Sequence, residues 1–119
     1  MLRFVILTHD HPVLHWDFML EKEAHLRTWR LEQAPANGLE IAAESLADHR
    51  LAYLDYQGPV SGDRGTVRRF DRGGFALMTE TDELIVVELS GKLLNGKAAL
   101  RRLNETGAWI FQYSSRAPA

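Results

Sequence analysis

Residues 14–21 read Leu14-His15-Trp16-Asp17-Phe18-Met19-Leu20-Glu21, and their order decides the fold. On an extended chain His15, Asp17, Met19 and Glu21 share one face while Trp16, Phe18 and Leu20 share the other. The alternation predicts a half-buried strand, anchored in a core by its aromatic face. Residues 25–32, HLRTWRLE, repeat it, with Leu26, Thr28, Arg30 and Glu32 against Arg27, Trp29 and Leu31. Lys22 to Ala24 would join the two as a hairpin, and Pro35 to Gly38 ends the second strand.

The same grammar runs through the rest of the chain. FVILTH predicts a first strand over Phe4 to Leu7, followed by a loop at Asp10 to Pro12. Residues 38–49, GLEIAAESLADH, fit either a short helix or a bent strand, whereas 49–58, HRLAYLDYQG, read as extended. After a turn at VSGDRG come GTVRRFDRGG, GFALMTETD, ELIVVELSG, GKAALRRLNE and GAWIFQYSS, each bounded by glycine or by an Asn/Asp cluster. Seven or eight short strands at this spacing predict a mostly β fold, a small antiparallel barrel with one or two short helices. The 119 residues make a single domain, 1–119, able to bury roughly two-thirds of the unfolded chain's surface, with 113–119 expected as a frayed tail.

Composition narrows the chemistry. Without cysteine, neither a disulfide framework nor a thiolate zinc site is available, so any metal must be held by histidine and oxygen ligands, and a cytoplasmic setting is expected. The apolar run near the start is too short for a signal-peptide core or a membrane span, so no membrane partner is expected. A net charge of −2 gives no global attraction to nucleic acid, leaving only local contact at an end or a nick.

Residues 9–18, HDHPVLHWDF, hold three of the five histidines. His15 and Asp17, two apart on a strand, present imidazole and carboxylate side by side, and His9 at the end of the preceding strand can fold back to complete a His, His, carboxylate set. Mixed nitrogen and oxygen donors suit Mn, Fe, Co or Zn better than Ca or Mg. His15-Trp16-Asp17 with a distant His49 also spells the facial triad of non-haem iron oxygenases, and the third ligand, His9 or His49, separates the two readings. His11 and His25 read as surface residues, and no phosphate loop or nucleophile elbow occurs.

HDHPVLHWDFMLE resembles the opening signature of the 3′-phosphoesterase domain family of bacterial DNA ligase D. TWRLEQAP, LADHRLAYLDYQG, GTVRRFDRGGF and the run VVELSGKLLNGKAALRRLNETGAWIFQY are similar to later segments of that family in the same order. The resemblance implies a small β-barrel with a site on one polar flank, binding manganese and removing 3′-terminal ribonucleotides or phosphates from DNA ends before ligation. It assigns His9, His15 and Asp17 as metal ligands and His49 and Tyr53 as the phosphate-contacting, catalytic pair. A DNA ligase or polymerase would then be a partner in trans. If residues 49–55 are extended, His49, Leu51, Tyr53 and Asp55 share one face.

The chain departs from the family pattern where charge matters. Met19 replaces an arginine, Gln33 a lysine and Ala47 an acid, and no basic residue falls near Ile41. Losing one donor to a phosphoryl oxygen typically costs about a hundredfold or more in rate. Arg30, Arg64, Arg68, Arg69 and Arg72 are the available replacements, with Arg64 favoured because the SGDRG turn is compact. The alternative is a catalytically impaired module that keeps the metal and binds phosphates or DNA ends. Asp10 and Glu21 are expected to fix the tautomer of a ligating histidine.

Overall fold

The computed structural model of the chain describes residues 1–116. The strands are β1 (Leu2–His9), β2 (His15–Lys22), β3 (His25–Leu31), β4 (Glu40–Arg50), β5 (Gly58–Pro59), β6 (Thr66–Glu80), β7 (Leu84–Gly91), β8 (Asn95–Arg102) and β9 (Ala108–Ser115). They pair antiparallel in the order β1-β2-β3-β4-β9-β8-β7-β6, with the two-residue β5 on the flank of β6, and β1 also pairs with β6. That last pairing closes an eight-stranded barrel, as the alternating pattern implies, and leaves no long free edge. No helix of the described residues is long and apolar enough to cross a membrane.

The barrel interior is filled by the aromatic faces read from the sequence: Phe18, Trp29, Leu31, Phe111 and Trp109, with Phe4 and Ile6 of β1. Phe18 and Phe111 meet edge to face at 5.1 Å between ring centres, as do Trp29 and Trp109 at 5.6 Å.

The strand at residues 15–22 is not half-buried. Met19 on its other face is buried as well, packed with Val5, Leu7, Leu26, Leu54 and Val67 in a second cluster on the outside of the barrel wall. The cover is the β4–β6 connection. Residues 51–54 do not continue the strand but close a 3-10 turn, which drives Leu54 into the outer cluster while Leu51, Tyr53 and Val60 pack at its margin. Each such aliphatic burial is worth about 1.5–3 kcal/mol, enough to hold a short flap against the wall.

Three further segments differ from their sequence reading. GLEIAAESLADH is the bent strand of the two options, with its bend where the β3–β4 register shifts between Leu26 and Thr28. The two segments expected either side of Gly73-Gly74 form the single strand β6, because Gly73 and Gly74 pair with both β1 and β7. The expected tail at 113–119 begins instead as strand: Tyr113 is buried, and its hydroxyl accepts a hydrogen bond from Asn95 N and donates to Asn95 O, while 117–119 lie outside the described residues.

Asp71 is the buried polar keystone of the barrel's closing region. Its carboxylate accepts backbone N–H bonds from Arg72, Lys92, Leu93 and Leu94 at 2.8–3.0 Å, so it gathers the whole β7–β8 turn onto β6. Asp71→Ala is expected to cost about 3 kcal/mol or more in urea unfolding, since several donors lose a charged acceptor together. Asp55→Ala, which removes only an exposed ion pair to Arg72, should cost under about 1 kcal/mol.

Candidate metal centre and phosphate cleft

The register of β1 and β2 places His9 directly opposite His15. Both strands turn these side chains, with Asp17, to the outer wall beside the Met19 cluster. The three residues bring one donor atom each within 4.8 Å of one another, and no other group of three or more His, Cys, Asp or Glu does so among the described residues. His49 is outside this set, so the His15, Asp17, His49 triad is not assembled.

Hydrogen bonds fix which nitrogens face inward. His9 Nε2 lies 2.7 Å from the carbonyl of Arg64, and His15 Nδ1 lies 2.9 Å from the carbonyl of Val13. A carbonyl only accepts, so in the neutral rings those nitrogens carry the proton and the opposite ones present lone pairs. The lone-pair nitrogens are His9 Nδ1, 3.7 Å from Asp17 Oδ2, and His15 Nε2, 3.3 Å from Asp17 Oδ1. Asp17 Oδ1 is buried and has no hydrogen-bond partner. Three acceptors therefore converge where no donor serves them, an arrangement that calls for a cation.

A proton is the simplest one. Burial resists charge on His15, but the Asp17 carboxylate and the Val13 carbonyl outweigh it and raise its pKa above the ordinary histidine value. A divalent metal would satisfy all three donors together, with two imidazoles and a carboxylate leaving coordination positions for a ligand.

Asp10 and Glu21 do not fix these tautomers, because backbone carbonyls do. Asp10 instead accepts the Thr66 N–H at 2.7 Å, which depresses its own pKa, and Glu21 is taken up by Arg3 at the opposite end of β1. Asp10 thus clasps the 60–66 loop that delivers the Arg64 carbonyl to His9.

Around the centre lies a cleft of about 240 Å³. His9, Asp17 and Met19 line it from the barrel wall, Arg30 from β3, and His49, Tyr53 and Arg64 from the bent end of β4 and the flap. His49 and Tyr53 meet because Tyr53 sits on the 3-10 turn, not on an extended chain; their rings pack edge to face at 5.7 Å. His49 Nδ1 is held by the Ala47 carbonyl at 2.9 Å, which leaves Nε2 to exchange protons with a ligand. Arg64 is at the cleft, but its guanidinium is bonded to Ser61 O and Oγ, and its contribution to the centre is its backbone carbonyl. Gln33 does not line the cleft. A larger polar hollow of about 630 Å³ shares no residue with the centre, and it holds no comparable set of ligating groups.

Residues 7–102 match the model of the DNA Ligase D 3′-phosphoesterase domain. The chain belongs to that family. Over 119 aligned residues it is 31% identical to the multifunctional non-homologous end joining protein LigD of Pseudomonas aeruginosa, covering 90% of this chain and 14% of that protein. It is also 31% identical over 114 residues to the multifunctional non-homologous end joining DNA repair protein LigD of Mycobacterium tuberculosis, covering 85% of this chain and 14% of the relative. The chain thus spans about one-seventh of the length of these relatives. The matched region contains the metal-ligand candidates, His49, Tyr53 and the flap of this 3′-phosphoesterase domain.

Gly65 links loop geometry to the centre. Its φ of +79° suits glycine, and a Cβ there would collide with Asp10 Oδ1 and come within 2.7 Å of His11 Cβ. Gly65→Ala is expected to loosen the Asp10 clasp, shift the Arg64 carbonyl from His9, and weaken Mn²⁺ affinity about tenfold by calorimetric titration. Gly38→Ala, with the same φ but nothing within 4 Å, should leave that affinity unchanged.

Proposed function

We propose that the chain is a divalent-metal phosphoesterase that acts on 3′ ends of DNA, removing 3′-ribonucleotides or 3′-phosphates in end repair, with manganese as its metal. Zinc, cobalt or iron would meet the same donor set. The observation that carries this reading is the pair of histidine lone pairs turned by backbone carbonyls onto the unpartnered Asp17 oxygen, beside a cleft lined by His49 and Tyr53.

His9, His15 and Asp17 would hold the metal, which would supply Lewis acidity at a phosphoryl oxygen. The chain's own groups do the rest. His49 Nε2, left open by the contact of Nδ1 with the Ala47 carbonyl, gives or takes a proton at the phosphate. Tyr53, braced by His49 and by Tyr56 at 5.9 Å, orients a phosphate oxygen through its hydroxyl.

Contact with DNA would be local, because the net charge of −2 gives no long-range pull on a duplex. The non-homologous end joining named for the relatives fits a role alongside a DNA ligase or polymerase. A second reading, a phosphate- or DNA-end-binding module with impaired catalysis, is favoured by one feature: the cleft floor is the apolar Met19.

Incubation of the Mn²⁺-loaded protein with defined 3′-phosphate and 3′-ribonucleotide ends is expected to release phosphate or nucleoside. Chelation should stop the release and lower the thermal midpoint, and His15→Ala should remove at least about 99% of the rate. Tight end binding without turnover would select the second reading. Identical behaviour of wild type and His15→Ala would exclude both.

A further inference from the structure

We infer that Arg30 is the anion-binding side chain of the cleft, that it grips the terminal phosphate of a DNA 3′ end, and that Glu44 competes with that phosphate for it. The inference rests on the phosphate-end reading above and names the group that supplies its positive charge.

Arg30 stands directly across the β2–β3 ladder from Asp17, so both project from the same outer face, and Arg30 lines the same cleft as His9, Asp17, His49 and Tyr53. Its Nε is buried and has no hydrogen-bond partner, an unusual state for a guanidinium N–H. Its ion pair is with Glu44, directly across the β3–β4 ladder, at 3.7 Å, with the Arg30 side chain 37% and the Glu44 side chain 59% exposed. A contact that long and that wet holds a guanidinium weakly. Arg64, the other arginine of the cleft, already spends Nε and Nη2 on Ser61. Met19, the residue two beyond Asp17 on β2, offers no charge. A planar guanidinium beside a metal centre, with an unused N–H and a loosely held fork, is suited to two parallel bonds to a phosphate.

The test uses the full Mn²⁺-loaded chain and duplexes ending in 3′-phosphate or 3′-hydroxyl, with affinity read by fluorescence anisotropy at fixed salt and hydrolysis read as KM and kcat. Arg30→Gln is expected to weaken binding of the 3′-phosphate end about tenfold or more and to raise KM, while Mn²⁺ affinity and 3′-hydroxyl binding stay at wild-type values. Arg30→Lys should recover part of the loss, because it keeps the charge without the fork. Glu44→Gln should tighten 3′-phosphate binding about threefold, and Arg64→Gln should change it less than threefold. Unchanged 3′-phosphate binding in Arg30→Gln, or equal losses for both ends, would overturn the inference while leaving a hydrolysing wild type as a phosphoesterase. A wild type that binds 3′-phosphate ends through Arg30 yet hydrolyses none would uphold it and remove the hydrolytic reading. A wild type without preference for 3′-phosphate overturns it whatever its activity.

Discussion

The outer wall of this barrel is organised around one unsatisfied carboxylate. Asp17 is buried near the start of β2, faces two imidazole nitrogens that carry lone pairs in the neutral rings, and has an oxygen with no hydrogen-bond donor to meet it. Taking a carboxylate out of water without a partner is among the costlier acts in folding. The surroundings relieve that cost only through a cation, either the proton that Asp17 favours on His15 or a metal held by all three donors. The Val13 and Arg64 carbonyls keep the histidine protons pointing away from Asp17, and the Asp10 clasp holds the loop that brings one of those carbonyls. A chain selected only for stability would turn one ring over and hydrogen-bond the carboxylate. The arrangement makes sense if a cation belongs there.

The second apolar cluster explains how so small a barrel can keep such a centre dry. An eight-stranded barrel of this size fills its own interior with side chains, leaving no room inside for a site. The cleft is instead made outside, where the 3-10 turn and the loop after it lie against Val5, Leu7, Met19 and Leu26. The interior aromatics give the wall rigidity and the outer aliphatics seat the cover. Asp71 does for the β7–β8 turn what tertiary packing cannot, meeting a cluster of backbone donors with one charge.

Much of this was legible in the sequence. Alternation in residues 14–21 and 25–32 identified the strands, and the turn clusters between later segments implied the barrel. The spacing of His9, His15 and Asp17 pointed to a common centre because strand geometry fixes residues two apart on one face. What alternation could not disclose is how many faces are covered. Met19 reads as the apolar exception on a polar face until the flap is seen to lie over it. The 3-10 turn was equally hidden, since no glycine, proline or Asn/Asp cluster breaks HRLAYL, and the turn shows itself only in the burial of Leu54 against the outer cluster. The carbonyls of Val13 and Arg64 carry no side-chain signal at all, being set by loop closure.

Register is also what the sequence withholds about charge. In one dimension Met19 looks like a lost basic group, and Arg30, eleven positions from it along the chain, is one of five candidate replacements, with Arg64 favoured over it. Across a hairpin those positions converge, because Asp17 pairs with Arg30 while Met19 pairs with Thr28. A β-sheet offers two routes to any point on its face, one along the strand and one across it, and the two are about equally short. Positive charge can therefore move from one strand to its neighbour without leaving the cleft it serves. A substitution in a linear signature removes a function only if the facing strand has not taken it over, and here the facing strand places a guanidinium with an unused N–H beside the centre.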